Sequence, residues 1–205
     1  MKATINGAEH PADVRDGETI GQWLVRARTN LLGRKLILLG ARADGAALDL
    51  GGAAMSRPMQ SVDTLELETQ PLRALALEVL QGLDAALPGA QTLAKDITAS
   101  LQKGERTAAL TALAELVELC NAVVGTSGNI ANLLGLDLAS TRIGDRPFEE
   151  AAREFAGGLQ EVGEAMRAQD YVAVTDQVQY VLAPGLGRWS SVLVALRERA
   201  EALPA

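Results

Sequence analysis

The chain has 205 residues, 48% hydrophobic and 22% charged, enough for one large or two small domains and too apolar to stay unfolded. A formal net charge of −7 argues against a phosphate-backbone ligand, which needs clustered Lys and Arg. Aromatics make up only 3%, so the cores must come from Leu, Val and Ala.

The acid is concentrated late: residues 1–70 carry 8 basic and 9 acidic side chains, and residues 71–205 carry 11 and 17. The start, Met1 to Gly7, has no apolar signal region, and no apolar run approaches the roughly 18–20 residues of a membrane span. A single cysteine, Cys120, leaves no internal disulfide and fits a reducing compartment. A cytoplasmic protein is expected, with no membrane and no nucleic acid among its partners.

In chain order, Lys2 to Ile5 alternate and lead into Asn6-Gly7, a dipeptide that tolerates the positive φ of a tight hairpin. A return strand over about Ala8 to Val14 carries Pro11, which places it at an edge. Asp16-Gly17 makes the next turn. Thr19 is a helix N-cap candidate, followed by Ile20, Trp23, Leu24, Ala27 and Leu31 at helical spacing, with Gly33 as the stop. Leu36 to Leu39 reads as a short central strand, and Asp44-Gly45 turns it back toward Ala47-Leu48. Residues 51–62 read as a loop with one helical turn at most. Leu65 and Leu67 then alternate with Glu66 and Glu68 in a half-exposed strand.

This strand–strand–helix–strand–strand order, with Ile5-Asn6-Gly7, Asp16-Gly17-Glu18-Thr19-Ile20 and Val62-Asp63-Thr64-Leu65-Glu66-Leu67, resembles the β-grasp (ubiquitin-like) fold. The likeness is to the sulfur-carrier branch of that fold and covers about a third of the chain. The resemblance implies a C-terminal Gly-Gly that is adenylated and thiolated. Here that position is Gln70-Pro71 followed by a helix, and Gly51-Gly52 is internal, so a docking module is expected instead of a carrier.

From Pro71 the pattern turns helical. Leu72, Leu75, Leu77, Val79, Leu80, Leu83 and Leu87 are apolar nearly all round, predicting a well-buried connecting helix closed by Pro88-Gly89. A second helix spans about Ala90 to Gln102. A third starts at Glu105, with Ala109, Leu110, Leu113, Leu116, Val117 and Cys120 on one face and a kink or break predicted at Gly125 to Gly128. Residues 135–147 read as a loop. A fourth helix runs from about Phe148 to Arg167, and a fifth starts with Asp170 as N-cap and is kinked or interrupted by Pro184. An offset of 65 residues sets Leu101 on Met166, Glu105 on Asp170, Ala109 on Val174, Leu113 on Val178 and Leu116 on Val181, the pattern of one α-hairpin used twice. The fold class is therefore α+β: a β-grasp-like domain at 1–70 and an all-α bundle with two related α-hairpins at 71–205.

No catalytic, cofactor or metal residue emerges. His10, the sole histidine, and Cys120 fall in different predicted domains, so no Cys–His or Ser–His–Asp set is proposed. Glu149, Glu150, Glu154, Glu161 and Glu164 lack the Glu-x-x-His of a bundle metal site and read as solvated helix faces. The glycines at 51–52 and 125–128 lack the context of a phosphate loop. Three binding features remain open. Arg26, Arg28, Arg34 and Lys35 form a basic cluster, either an acidic-partner patch or a solvated helix end. Trp189, with Arg188 and Tyr180, is an interface anchor or core. The polar segment Asn121 to Asn132 is a groove or a simple kink. The expected function is a non-catalytic adaptor or chaperone that binds a protein partner through the bundle, without a cofactor. In helix number and acidity the bundle resembles small bacterial export chaperones. A structural homo-oligomer and an enzyme with a carboxylate-based site are the alternatives.

Overall fold

Asn6 and Gly7 both adopt positive φ (49° and 81°) and join β1 (Lys2–Ile5) to β2 (Ala8–His10) in an antiparallel pair. The computed structural model describes residues 1–137, 142–143 and 146–204. Thr19 caps α1 (Ile20–Gly33) through a full capping box with Gln22. Lys35, at φ 59°, is the left-handed residue that releases the helix, two residues beyond the expected glycine stop. β3 (Leu36–Ala43) is twice as long as predicted because a bulge at Leu39 lets it continue past the apolar run. It pairs with β4 (Ala46–Ala47) and with β5 (Thr64–Pro71).

The sheet order is β2-β1-β5-β3-β4, with β1 and β5 parallel at its centre and Ala3 opposite Leu65. β2 stops at His10, short of the predicted Val14, since Pro11 cannot extend the ladder. Ile20, Trp23, Leu24 and Leu31 of α1 share a core with Ala41, Ala43, Leu65 and Leu67. Where β1 ends, the Asn6 amide takes over the ladder: its Oδ1 accepts the Thr69 N–H at 2.8 Å and its Nδ2 donates to the Thr69 carbonyl at 3.0 Å. β5 passes without a break into α2 (Leu72–Lys103), whose first N–H donates to the Lys35 carbonyl.

The chain divides into two compact units, 1–75 and 76–204, the division falling within α2. The second unit holds the rest of α2, α3 (Arg106–Leu133), α4 (Phe148–Arg167), α5 (Tyr171–Gln177) and α6 (Ala183–Glu201) around one core. A π-helical turn, Val178–Leu182, joins α5 to α6. Part of the expected 135–147 loop pairs as β6 (Arg142–Ile143) with β7 (Arg146–Pro147); the rest of that loop lies partly outside the described residues.

Three helix expectations are corrected. Pro88 and Gly89 do not close a helix; α2 runs through them, with core residues Leu87 and Ala90 on either side of the proline. Packing of those residues outweighs the roughly 3 kcal/mol a proline costs in a helix interior. α2 is not buried all round either: Ala76, Leu80, Leu87, Ala90, Ala94 and Ile97 form a single buried stripe, and Leu77, Val79 and Leu83 are only partly covered. α3 continues through Gly125 and Gly128 without a break, because Val123, Ser127 and Ile130 keep the buried stripe of Leu116 and Cys120 going. The expectation that no run approaches a membrane span is also corrected: by length and composition α3 is apolar enough to cross one, a test that the core helix of a globular bundle passes as well.

Candidate functional site

The 65-residue offset holds in the backbone bonds that close the two hairpin turns. Gly104 N–H donates to Leu101 O at 3.0 Å, and Gln169 N–H to Met166 O at 3.1 Å. Glu105 N–H reaches Ser100 O, and Asp170 N–H reaches Ala165 O, both at 2.9 Å. Gly104 and Gln169 both sit at positive φ, 83° and 57°. Ala109 matches Val174 and Leu113 matches Val178, all buried. Past Val178 the π turn inserts one residue, and the buried positions then match at 66: Leu116 with Leu182, Cys120 with Leu186, Val123 with Trp189, Ser127 with Leu193 and Ile130 with Leu196. The ungapped match of Leu116 to Val181 is therefore corrected by one position.

A π turn is a single-residue insertion in a helix, and such turns recur at functional sites. Here Tyr180 is left 67% exposed, beside Val172 at 73%. Facing the π turn, Ala94, Thr98 and Gln102 of α2 and Gln179 and Ala183 line a cavity of about 430 Å³. Gln102 and Gln179 also line a second cavity of about 480 Å³, which runs on past Gly104 to Val172 and Tyr180. The two make one groove along the side of the bundle, ending at the hairpin turns. The Arg106 guanidinium lies 4.8 Å from the Tyr171 ring centre and fixes the groove's far wall.

The residues singled out in the sequence do not converge here. His10 lies at the end of β2 in the first unit, and Cys120 lies in the second, fully buried, its thiol pushed up to about 12 by burial. It stands where the second hairpin has Leu186, a small hydrophobe's position. Trp189 is core, not an anchor: its Nε1 donates to Ser127 Oγ at 3.1 Å, and its ring packs against Phe148 and Phe155 at 5.8 and 5.6 Å. Within the polar segment of α3, Ser127 is an internal hydrogen-bond partner, and the helix runs through the segment without a break. Glu149 pairs with Arg153, and Glu154 with Arg188, on exposed helix faces. Among the described residues no three His, Cys, Asp or Glu side chains gather as a metal set. Gly52 serves a turn: a Cβ there would fall 2.6 Å from Asp49 Oδ2, whose partner oxygen accepts the Gly51 N–H.

The basic cluster also divides. Arg26 is bound inside the first unit, donating to Glu18 Oε2 at 2.8 Å and Asp13 Oδ2 at 3.1 Å, and it holds the buried Glu18 carboxyl below the usual range. Sequence reasoning missed the groove. The signal was the one-residue difference in spacing between the hairpins, invisible to an ungapped comparison.

Fold and groove define a two-unit α+β protein whose second unit is a helical bundle with a side groove at its π turn. The chain belongs to the family described as a domain of unknown function (DUF8042), whose model matches residues 78–192, more than half of its length. That match takes in most of α2, all of α3 to α5, the π turn and half of α6. No curated protein and no solved structure matches the chain.

Proposed function

We propose that the protein is a non-catalytic adaptor or chaperone that binds a segment of a protein partner in the groove at the π turn. The observation that carries this reading is the pairing of exposed Tyr180 and Val172 with a groove floored by Ala94, Thr98 and Ala183. Exposed aromatic anchors over small-residue floors suit an amphipathic partner helix. The β-grasp resemblance supports a docking role for the first unit, because β5 runs directly into α2 and leaves no glycine tail to be activated.

The test is affinity capture from native lysate with the tagged full-length chain and its Tyr180→Asp variant, read by quantitative mass spectrometry. One dominant protein, at least about tenfold depleted with the variant, is the expected result for loss of an interface anchor. Equal recovery with both chains, or no enriched protein, overturns the reading. A second reading, self-association, is favoured by Val25 and Leu32 of α1, 64% and 41% exposed around Arg28. Salt-sensitive dimer mass by light scattering would shift the function toward that homo-oligomer.

A further inference from the structure

The early end of β2 leaves a gap. Pro11 turns the chain off the sheet at His10, and it rejoins α1 at Asp13, whose carbonyl accepts the Trp23 Nε1–H at 3.1 Å. Between α1 and the β1–β2 hairpin this opens a cavity of about 240 Å³. Ile5, Trp23, Leu31 and Leu67 form its apolar interior, while His10, Asn30 and Arg34 stand among its polar walls. The cavity lies just below the roughly 300–1,000 Å³ usual for ligand pockets, so its occupant is small.

Its charge balance sets the occupant's sign. Arg26 and Asp13 also line it and neutralise each other; Glu18, outside the lining, is held by Arg26 and has the charge of Arg15 beside it. That leaves Arg34, whose guanidinium makes no ion pair among the described residues. One uncompensated guanidinium beside an apolar pocket is complementary to a carboxylate on an apolar body.

We propose that this cavity is a binding site for a small aromatic or branched aliphatic monocarboxylate, its apolar body against Trp23 and Leu67 and its carboxylate on Arg34. The site is separate from the groove at the π turn.

The chain's two tryptophans supply the readout. In full-length protein, indole N–H resonances of Trp23 and Trp189 are followed while phenylacetate, and separately 4-methylpentanoate, is added up to about 10 mM, beyond any meaningful affinity. The Trp23 signal moves saturably with at least one acid and the Trp189 signal stays fixed. Phenylacetamide, of the same shape but uncharged, binds at least about tenfold more weakly, as does either acid to the exposed-site variant Arg34→Gln. No saturable movement of Trp23 with either acid overturns the proposal. So does equal binding of the amide, or unchanged affinity in Arg34→Gln.

Discussion

The two helical hairpins, α2–α3 and α4–α5–α6, place bulk at opposite members of one pair of equivalent positions. Phe155 on α4 meets Gly185 on α6, where an added Cβ would lie 2.5 Å from the ring. The equivalent positions in the first hairpin are Ala90 and Leu119, small on the leading helix and large on the returning one. The exchange brings a second difference with it. Gly158 of α4 lies where a Cβ would be 2.7 Å from Val181 of the π turn, so the inserted residue is seated against a glycine. A bundle can thus keep its buried stripe through an insertion, provided the facing helix gives up side-chain volume at that level.

The sharpest way to break this comparison is to copy one hairpin's choice into the other. Phe155→Ala alone should cost about 3–5 kcal/mol in urea denaturation. Gly185→Leu alone should cost at least about 1–3 kcal/mol by overpacking. The double variant, which restores the small–large order of Ala90 and Leu119, should be more stable than the sum by at least about 1 kcal/mol. Strict additivity would mean the two positions are not exchanged partners.

The π turn gives the next largest effect. Its Ala183 N–H reaches Val178 O, five residues back, and the wider turn comes immediately before Pro184. Deleting Tyr180 should restore α-helical spacing and bring the proline ring against the carbonyl four residues back, at about 3 kcal/mol. Adding Pro184→Ala to the deletion should recover most of that loss in thermal denaturation. If the deletion alone leaves the melting temperature unchanged, the turn is not there to seat the proline.

These contrasts show what local sequence carries and what it does not. Asn6-Gly7, Asp16-Gly17, Asp44-Gly45 and the Thr19 cap are readable because each is fixed by neighbouring backbone conformation; with the apolar run at Leu36–Leu39 and the alternation at Leu65–Leu67 they place the five strands of the first unit's sheet, whereas β6 and β7 read as loop. Pro88, Gly125 and Gly128 misled because helix breakers act with about 1–3 kcal/mol, less than the packing of a buried stripe. The repeat was legible in its offset, yet the inserted residue was not, since it appears only when burial is compared on both sides of Val178. The groove and the cavity depend on what neighbouring elements leave uncovered. Nothing in the spacing of Tyr180 or Arg34 announces that.

The glycines of α3 sharpen the same contrast with smaller effects. A Cβ at Gly125 or Gly128 would meet nothing within 4 Å, unlike one at Gly185. Gly125→Ala and Gly128→Ala should therefore each stabilise the protein, by up to about 1 kcal/mol of helix propensity. A loss of stability from either would show that α3 needs flexibility there, as its sequence alone suggested.

The smallest expected effect lies at the hairpin turns, which share their closing backbone bonds while Asp170 alone caps its helix through its side chain. Gly104 holds its left-handed conformation without strain, while Gln169 adopts φ 57° against a penalty of about 1 kcal/mol for a residue with a Cβ. Gln169→Gly relieves that penalty but frees the unfolded chain, which returns roughly half of it. The net expectation is a gain of about 0.5 kcal/mol, and Gly104→Gln should lose a similar amount. Both are measurable as opposite shifts of the urea midpoint at unchanged slope. Because both turns make the same backbone hydrogen bonds at 2.9–3.1 Å, a shift of one sign in both variants would mean that side-chain contacts, not backbone conformation, distinguish the copies.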